Sequence, residues 1–142
     1  MQVSLDHLKA FVEDFIASIP KIPGEKAYLV GLEGELGAGK TAFVQKVGEI
    51  LGIKDSITSP TFVLLKTYSI HHPVFEKMVH IDAYRLHPED KDTIHLREYA
   101  EDPKNLIFIE WPERIHLETK QNRALQFKVL GGHEREITEH VV

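Results

Sequence analysis

The sequence predicts an α/β domain of three layers, built on a mixed sheet that is part parallel and antiparallel at its margins. Three observations carry this. First, Gly34-Glu35-Leu36-Gly37-Ala38-Gly39-Lys40-Thr41 fits G-x-x-x-x-G-K-[ST], the phosphate-binding P-loop. It stands between an apolar run suited to a buried strand and a stretch with helical spacing, as the motif demands. Second, two largely apolar runs end in an acid, Leu106-Ile107-Phe108-Ile109-Glu110 and Met78-Val79-His80-Ile81-Asp82. Buried strands of an open α/β sheet read this way, and ligands gather at their carboxyl ends. Third, the short connection at His71-His72-Pro73 and the pair Gly131-Gly132 signal hairpins, which need antiparallel neighbours. Residues 1–142 are read as one P-loop NTPase-like domain without linker, repeat or low-complexity tract.

Each element has its own signal. Leu5, Leu8, Phe11, Val12, Phe15, Ile16 and Ile19 recur at helical spacing, with Ser4, Asp6 and His7 as the cap region and Pro20 and Pro23 as the stop. Residues 27–32 form the strand that enters the P-loop. Residues 41–51 form the helix that leaves it, with Ala42, Val44, Val47, Ile50 and Leu51 apolar and Gly52 closing it. A polar loop over 54–60 leads to a strand at 61–69, rich in β-branched and aromatic residues. The partner strand runs over 74–82. Pro88 opens a helix that reaches about Tyr99. Strand 105–110 follows, and strands 124–130 and 134–142 flank the paired glycines.

Composition narrows the function. Hydrophobic residues at 42% and charged residues at 27% are ordinary for a soluble globular protein. A formal charge of −5 gives no broad basic field to hold nucleic acid. No apolar run approaches membrane-spanning length, and charges at Asp6, Lys9, Glu13 and Asp14 rule against a signal peptide. The absence of cysteine excludes a disulfide framework, a Cys zinc site and a thiol nucleophile, and fits a cytoplasmic location. Five histidines lie from His71 to His95, without the spacing of a helical zinc pair.

The chemistry follows from the P-loop. Backbone N–H groups of residues 35–41 form an anion-holding concavity, and the helix adds the positive end of its dipole. Lys40 reaches the outer phosphates and Thr41 sets its hydroxyl on Mg²⁺. Hydrolysis also needs a metal ligand and a positioned water, and Asp82 and Glu110 are the candidates. Glu110 is assigned to the metal, directly or through water, and Asp82 to the attacking water; the pattern is compatible with the reverse. Thr61, in the loop Thr58-Ser59-Pro60-Thr61-Phe62, is placed to face the γ-phosphate or the metal, or the loop is only stiffened by Pro60. Trp111 is a rim residue that stacks on a ligand or partner, or a core tryptophan, and local sequence favours the core. Arg85 stabilises phosphate charge or, more commonly, pairs with an acid.

In order, the P-loop, Ser59-Pro60-Thr61-Phe62, His80-Ile81-Asp82-Ala83-Tyr84-Arg85-Leu86 and Ile109-Glu110-Trp111-Pro112-Glu113 resemble the TsaE, or YjeE, family over about residues 28–114. The resemblance implies a small bacterial P-loop ATPase, weak alone. It joins the TsaB–TsaD complex that transfers a threonylcarbamoyl group to an adenosine beside the tRNA anticodon. ATP hydrolysis then supports repeated turnover of the complex, and tRNA is met through it. By the same resemblance Glu35, Leu36, Gly37, Ala38, Gly39, Lys40, Thr41, Thr61 and Trp111 hold ATP. Thr41 and Glu110 hold Mg²⁺, and Asp82, Glu110 and Lys40 serve catalysis. Ala83 departs from the family's usual Leu, and Lys9 lies about where a Thr is often found. Two other readings stay open: a nucleotide-gated binding module, and a small-molecule or nucleotide kinase. A regulatory GTPase is disfavoured, since D-x-x-G and N-K-x-D are missing.

Overall fold

All six residues of Asn105–Glu110 are buried, as expected of a central strand covered on both faces. The computed structural model describes residues 2–4, 7–35, 37–54, 65–86, 95–115, 120–132 and 134–140. Among these, the strands are β1 (Gln2–Ser4), β2 (Tyr28–Gly34), β3 (Leu65–Ser69), β4 (Lys77–Asp82), β5 (Asn105–Glu110), β6 (Arg123–Gly131) and β7 (Glu134–His140). The helices are α1 (Leu8–Ser18), α2 (Lys40–Ile50) and α3 (Leu96–Glu101), with a 3₁₀ turn at Pro112–Arg114. The sheet order is β1-β7-β6-β2-β5-β4-β3. Pairs β6–β2, β2–β5 and β5–β4 are parallel. The margins β1–β7, β7–β6 and β4–β3 are antiparallel. The predicted mixed α/β sheet is therefore the one observed. Among the described residues no helix is long and apolar enough to cross a membrane.

Alternation along the strands sorts side chains onto two faces. Val30, Leu32, Met78, Leu106, Phe108 and Leu125 face α1 and α2 in the larger core. Leu29, Val79, Ile81, Ile107 and Ile109 face α3 in the smaller one. Phe43 of α2 is the hub of the larger core, with ring centroids 5.2 Å from Phe15, 5.6 Å from Phe127 and 6.0 Å from Phe108. Each such side chain contributes roughly 1.5–3 kcal/mol by leaving water. The same alternation has a consequence for chemistry. Met78, His80 and Asp82 share one face of β4, while Leu106, Phe108 and Glu110 share that face of β5. Asp82 and Glu110 are register partners at the two carboxyl ends.

Three boundaries differ from the sequence-based expectation. The first helix begins at Leu8, and Ser4 is not in a cap but ends strand β1, which pairs with β7 and covers its edge. His7 stands at the N-cap, and its side chain makes no capping bond to the helix. Strand β4 begins at Lys77 rather than at Val74. The N–H groups of Val74 and Phe75 donate to His72 Nδ1 at 3.1 and 3.3 Å, so that segment is held as a turn. The helix expected from Pro88 appears as Leu96–Glu101, and His95, at φ 57°, is left-handed and marks its start. Residues 88–94 of that helix and 61–64 of the third strand lie outside the described residues.

Gly34 carries a conformational demand that its neighbour enforces. Its φ is +141°, and a Cβ there would overlap the Phe127 carbonyl oxygen on β6. That oxygen belongs to backbone inside a parallel pair and cannot turn aside. Gly34→Ala is expected to lower unfolding free energy by about 3 kcal/mol or more, from the strained φ and the clash together. Urea denaturation checks this, and a loss under about 1 kcal/mol is the contrary outcome.

Candidate functional site

The P-loop is held between β2 and α2. Ala38 N–H donates to the Glu35 carbonyl at 3.1 Å, closing a turn. Gly39 follows at φ 105°, a left-handed N-cap that offers no side chain. Phe43 N–H takes the Gly39 carbonyl at 2.9 Å. The earlier N–H groups of α2 have no side-chain cap and no acidic residue in the first turn, which is the condition for receiving an anion. Ala38 is buried, Gly37 and Glu35 are exposed, and Leu36 lies outside the described residues.

Lys40 is only 4% exposed. Its Nζ donates to the Gly34 carbonyl and lies 3.7 Å from the centroid of the Trp111 ring. Burial lowers its pKa below the usual lysine value, and the charges of Glu110, Glu113 and Asp82 offset this only in part. No carboxylate among the described residues lies within ion-pair distance of it.

Glu110, 4% exposed, is the meeting point of three elements. Thr41 Oγ1, in the first turn of α2, donates toward its two oxygens at 3.1 and 3.0 Å. His80 Nε2 of β4 lies 2.6 Å from Oε2. A carboxylate buried this far stays tolerable only when so bonded. Asp82 is half-buried at the end of β4, and its Oδ1 accepts the Tyr84 N–H at 3.0 Å.

Trp111 packs against the edge of the smaller core. It is half-buried at the rim, at φ 62°, with its N–H on the Leu32 carbonyl at 3.0 Å. One side of its ring covers Lys40. Tyr84 packs 5.0 Å away, and the Arg114 guanidinium lies 5.1 and 5.6 Å from the Tyr84 and Trp111 rings. Arg85 is exposed. Thr61 and the rest of its loop fall outside the described residues.

Lys40, Thr41, Glu110 and Trp111 are thus brought together, with Asp82 beside Glu110 in register. Two contacts to this group have no counterpart in the sequence reading. His80 is one; its position two before Asp82, on the same strand face, is the signal that could have found it. Arg135 of β7 is the other. Its Nη2 donates to the Gly37 carbonyl at 3.4 Å and its Nη1 to the carbonyls of Gly132 and Glu134 at 2.9 Å. No local pattern in the hairpin marks that contact.

The family model described as threonylcarbamoyl adenosine biosynthesis protein TsaE matches residues 4–137. Proteins named tRNA threonylcarbamoyladenosine biosynthesis protein TsaE are among the relatives. One from Nostoc sp. is 38% identical over 113 residues, covering 75% of this chain and 67% of the relative. One from Bacillus subtilis is 37% identical over 117 residues, covering 82% and 69%. One from Treponema pallidum is 38% identical over 116 residues, covering 80% and 82%. The crystal structure of Bacillus subtilis YdiB superposes with a TM-score of 0.63 at 26% identity, over 98% of this chain and 82% of that one. With a family model spanning nearly its whole length and relatives of this identity, the chain belongs to the TsaE family.

Proposed function

We propose that the chain is an Mg²⁺-dependent cytoplasmic ATPase that serves threonylcarbamoyl transfer to tRNA, acting through TsaB and TsaD homologues and meeting tRNA only through their complex. The observation that carries this is the bond from the P-loop hydroxyl of Thr41 to the carboxylate of Glu110. It joins the phosphate-binding half of a nucleotide site to its acidic half.

The residues fit the ligands. A buried ammonium without an ion-pair partner among the described residues, beside an uncapped helix N-terminus, calls for an anion. A hydroxyl and a carboxylate oxygen in contact are the hard donors that Mg²⁺ takes. In this reading Lys40 and the N–H groups of residues 35–41 hold the phosphates, and Thr41 and Glu110 hold the metal. Trp111 borders the nucleotide. Asp82 orients the attacking water. Mg²⁺, when bound, neutralises charge on the phosphates. Thr61 and Leu36 keep the phosphate-side roles that the family pattern implies.

Mixing the purified chain with TsaB and TsaD homologues is expected to raise ATP turnover at least tenfold over the chain alone, a change within the usual range of 1–3 kcal/mol for coupled sites. An unchanged rate would count against the partner assignment, and no hydrolysis in either case against the ATPase.

The cover of Trp111 over Lys40 favours a second reading, a nucleotide-gated binding module. Phosphate must take Lys40 from the ring, so nucleotide arrival alters the cluster of Trp111, Tyr84 and Arg114 at the surface. If a non-hydrolysable ATP analogue sustains repeated turnover of the complex, occupancy suffices and hydrolysis is dispensable.

A further inference from the structure

We propose that His80 is a positioning residue that fixes the Glu110 carboxylate for the metal–nucleotide site; this rests on the Mg²⁺-ATPase reading above. His80 is 0% exposed and ranks among the largest fully buried side chains. It lies on the face of β4 that meets α2, next to apolar neighbours such as Met78 and its register partner Phe108. Packing alone does not call for an imidazole there. Its Nδ1 is buried with no hydrogen-bond partner among the described residues. A polar atom left so costs about 1–3 kcal/mol, which Phe or Leu at this site avoids.

What the imidazole supplies is a donor. A carboxylate only accepts, so the 2.6 Å contact is Nε2–H donating to Oε2 of Glu110. The charge-assisted bond is of the short, strong kind. Without His80, the side-chain tether of Glu110 is the Thr41 hydroxyl, which reaches both oxygens. In the proposed reading that hydroxyl would also serve Mg²⁺. Were Thr41 engaged by a bound cation, the His80 contact would remain to hold Glu110 through Oε2. The arrangement is that of an outer residue that orients a ligating carboxylate, and loss of such a partner typically costs 10- to 100-fold in metal affinity or activity.

The test separates the Nε2 donor from bulk. Asn puts an amide nitrogen near the Nδ1 position and falls short of Glu110, whereas Gln reaches the Nε2 position. Binding of a non-hydrolysable ATP analogue is measured by calorimetry with and without MgCl₂. His80→Asn is expected to weaken the Mg²⁺-dependent binding about tenfold or more, with Mg²⁺-free binding unchanged, and His80→Gln to restore most of it. If Asn fails to fold, His80→Phe takes its place. Normal Mg²⁺ dependence in the Asn or Phe variant, or equal loss in both Asn and Gln variants, overturns the proposal. Glu110→Gln is the control for the underlying reading. If it too keeps normal Mg²⁺ dependence, the metal role of Glu110 fails; if it shifts while His80→Asn does not, only the positioning role fails.

Discussion

Lys40→Met is expected to weaken binding of an ATP analogue about 100-fold and bring turnover to background, with stability changed by no more than about 1 kcal/mol. The two halves of this expectation have one cause. The ammonium is buried against a carbonyl and an indole ring, so it is poorly solvated and poorly neutralised. Charge-assisted hydrogen bonds to phosphate contribute about 1.5–3 kcal/mol, and a cation this sheltered from water sits at the upper end. Its charge opposes the fold rather than supporting it, because burial holds its pKa below the usual lysine value even with Glu110, Glu113 and Asp82 pulling the other way. The sign follows from linkage. The folded chain sheds this proton at lower pH than the unfolded chain does. Between the lowered value and the usual lysine value the unfolded chain binds more protons, so stability rises with pH through that window. Below it the cost of keeping the cation is present in full. Met fills the space over the Trp111 ring and has no charge, so its variant lacks this rise. Calorimetry with the analogue and urea denaturation between about pH 7 and pH 10 measure both halves. Undiminished binding by the Met variant would remove Lys40 from the phosphate site. A large loss of stability would mean that the ammonium holds the fold rather than the ligand.

The parts of the site that were legible in the sequence are those in which backbone geometry restricts residue type. Gly34 and Gly39 stand at positive φ, and one lies against a neighbouring carbonyl, so the P-loop shows as a spelled motif. Strands β4 and β5 are legible because burial on both faces forces apolar runs, and their terminal acids stand out against them. Strand β1 was not legible. Three residues are too few to leave a periodicity, and the helical pattern of Leu8, Val12 and Phe15 draws the boundary back over them. The partners of Glu110 depend on the register of β4 against β5, a tertiary quantity that spacing along the chain does not contain. Trp111 is only half legible for a related reason: it packs against the smaller core and also covers Lys40. After an apolar strand an indole reads as more core, and only the left-handed turn at φ 62° swings it over Lys40. Arg135 reaches Gly37 by way of the C-terminal hairpin, whose own sequence signals nothing but a turn.

Asp82→Asn is expected to reduce turnover by about 10²- to 10⁴-fold while leaving Mg²⁺-dependent binding of the analogue within a few-fold of normal. The two acids are register partners on adjacent parallel strands, so topology alone does not separate them. Their surroundings do. Glu110 is closed in, tied to the Thr41 hydroxyl on one side and His80 on the other. That is the environment of a group held against the P-loop, where the proposed Mg²⁺ would sit. Asp82 is half-buried where Glu110 is buried, and the Tyr84 N–H on Oδ1 turns its carboxylate at the strand end. Water can reach it there, and a carboxylate so oriented can accept a proton from that water or align it. Asn keeps the size and the Tyr84 contact but gives up the charge that makes this possible. Glu110→Gln is expected to do the opposite, weakening Mg²⁺-dependent binding before turnover is considered, because an amide is a poorer ligand for a hard cation. The pair is therefore read on two axes, analogue affinity with and without Mg²⁺ and single-turnover hydrolysis of bound ATP. Tight binding without turnover in the Asn variant, together with lost Mg²⁺ dependence in the Gln variant, assigns water to Asp82 and metal to Glu110. The reverse pattern exchanges the roles, and with them the reason for the bond between Thr41 and Glu110.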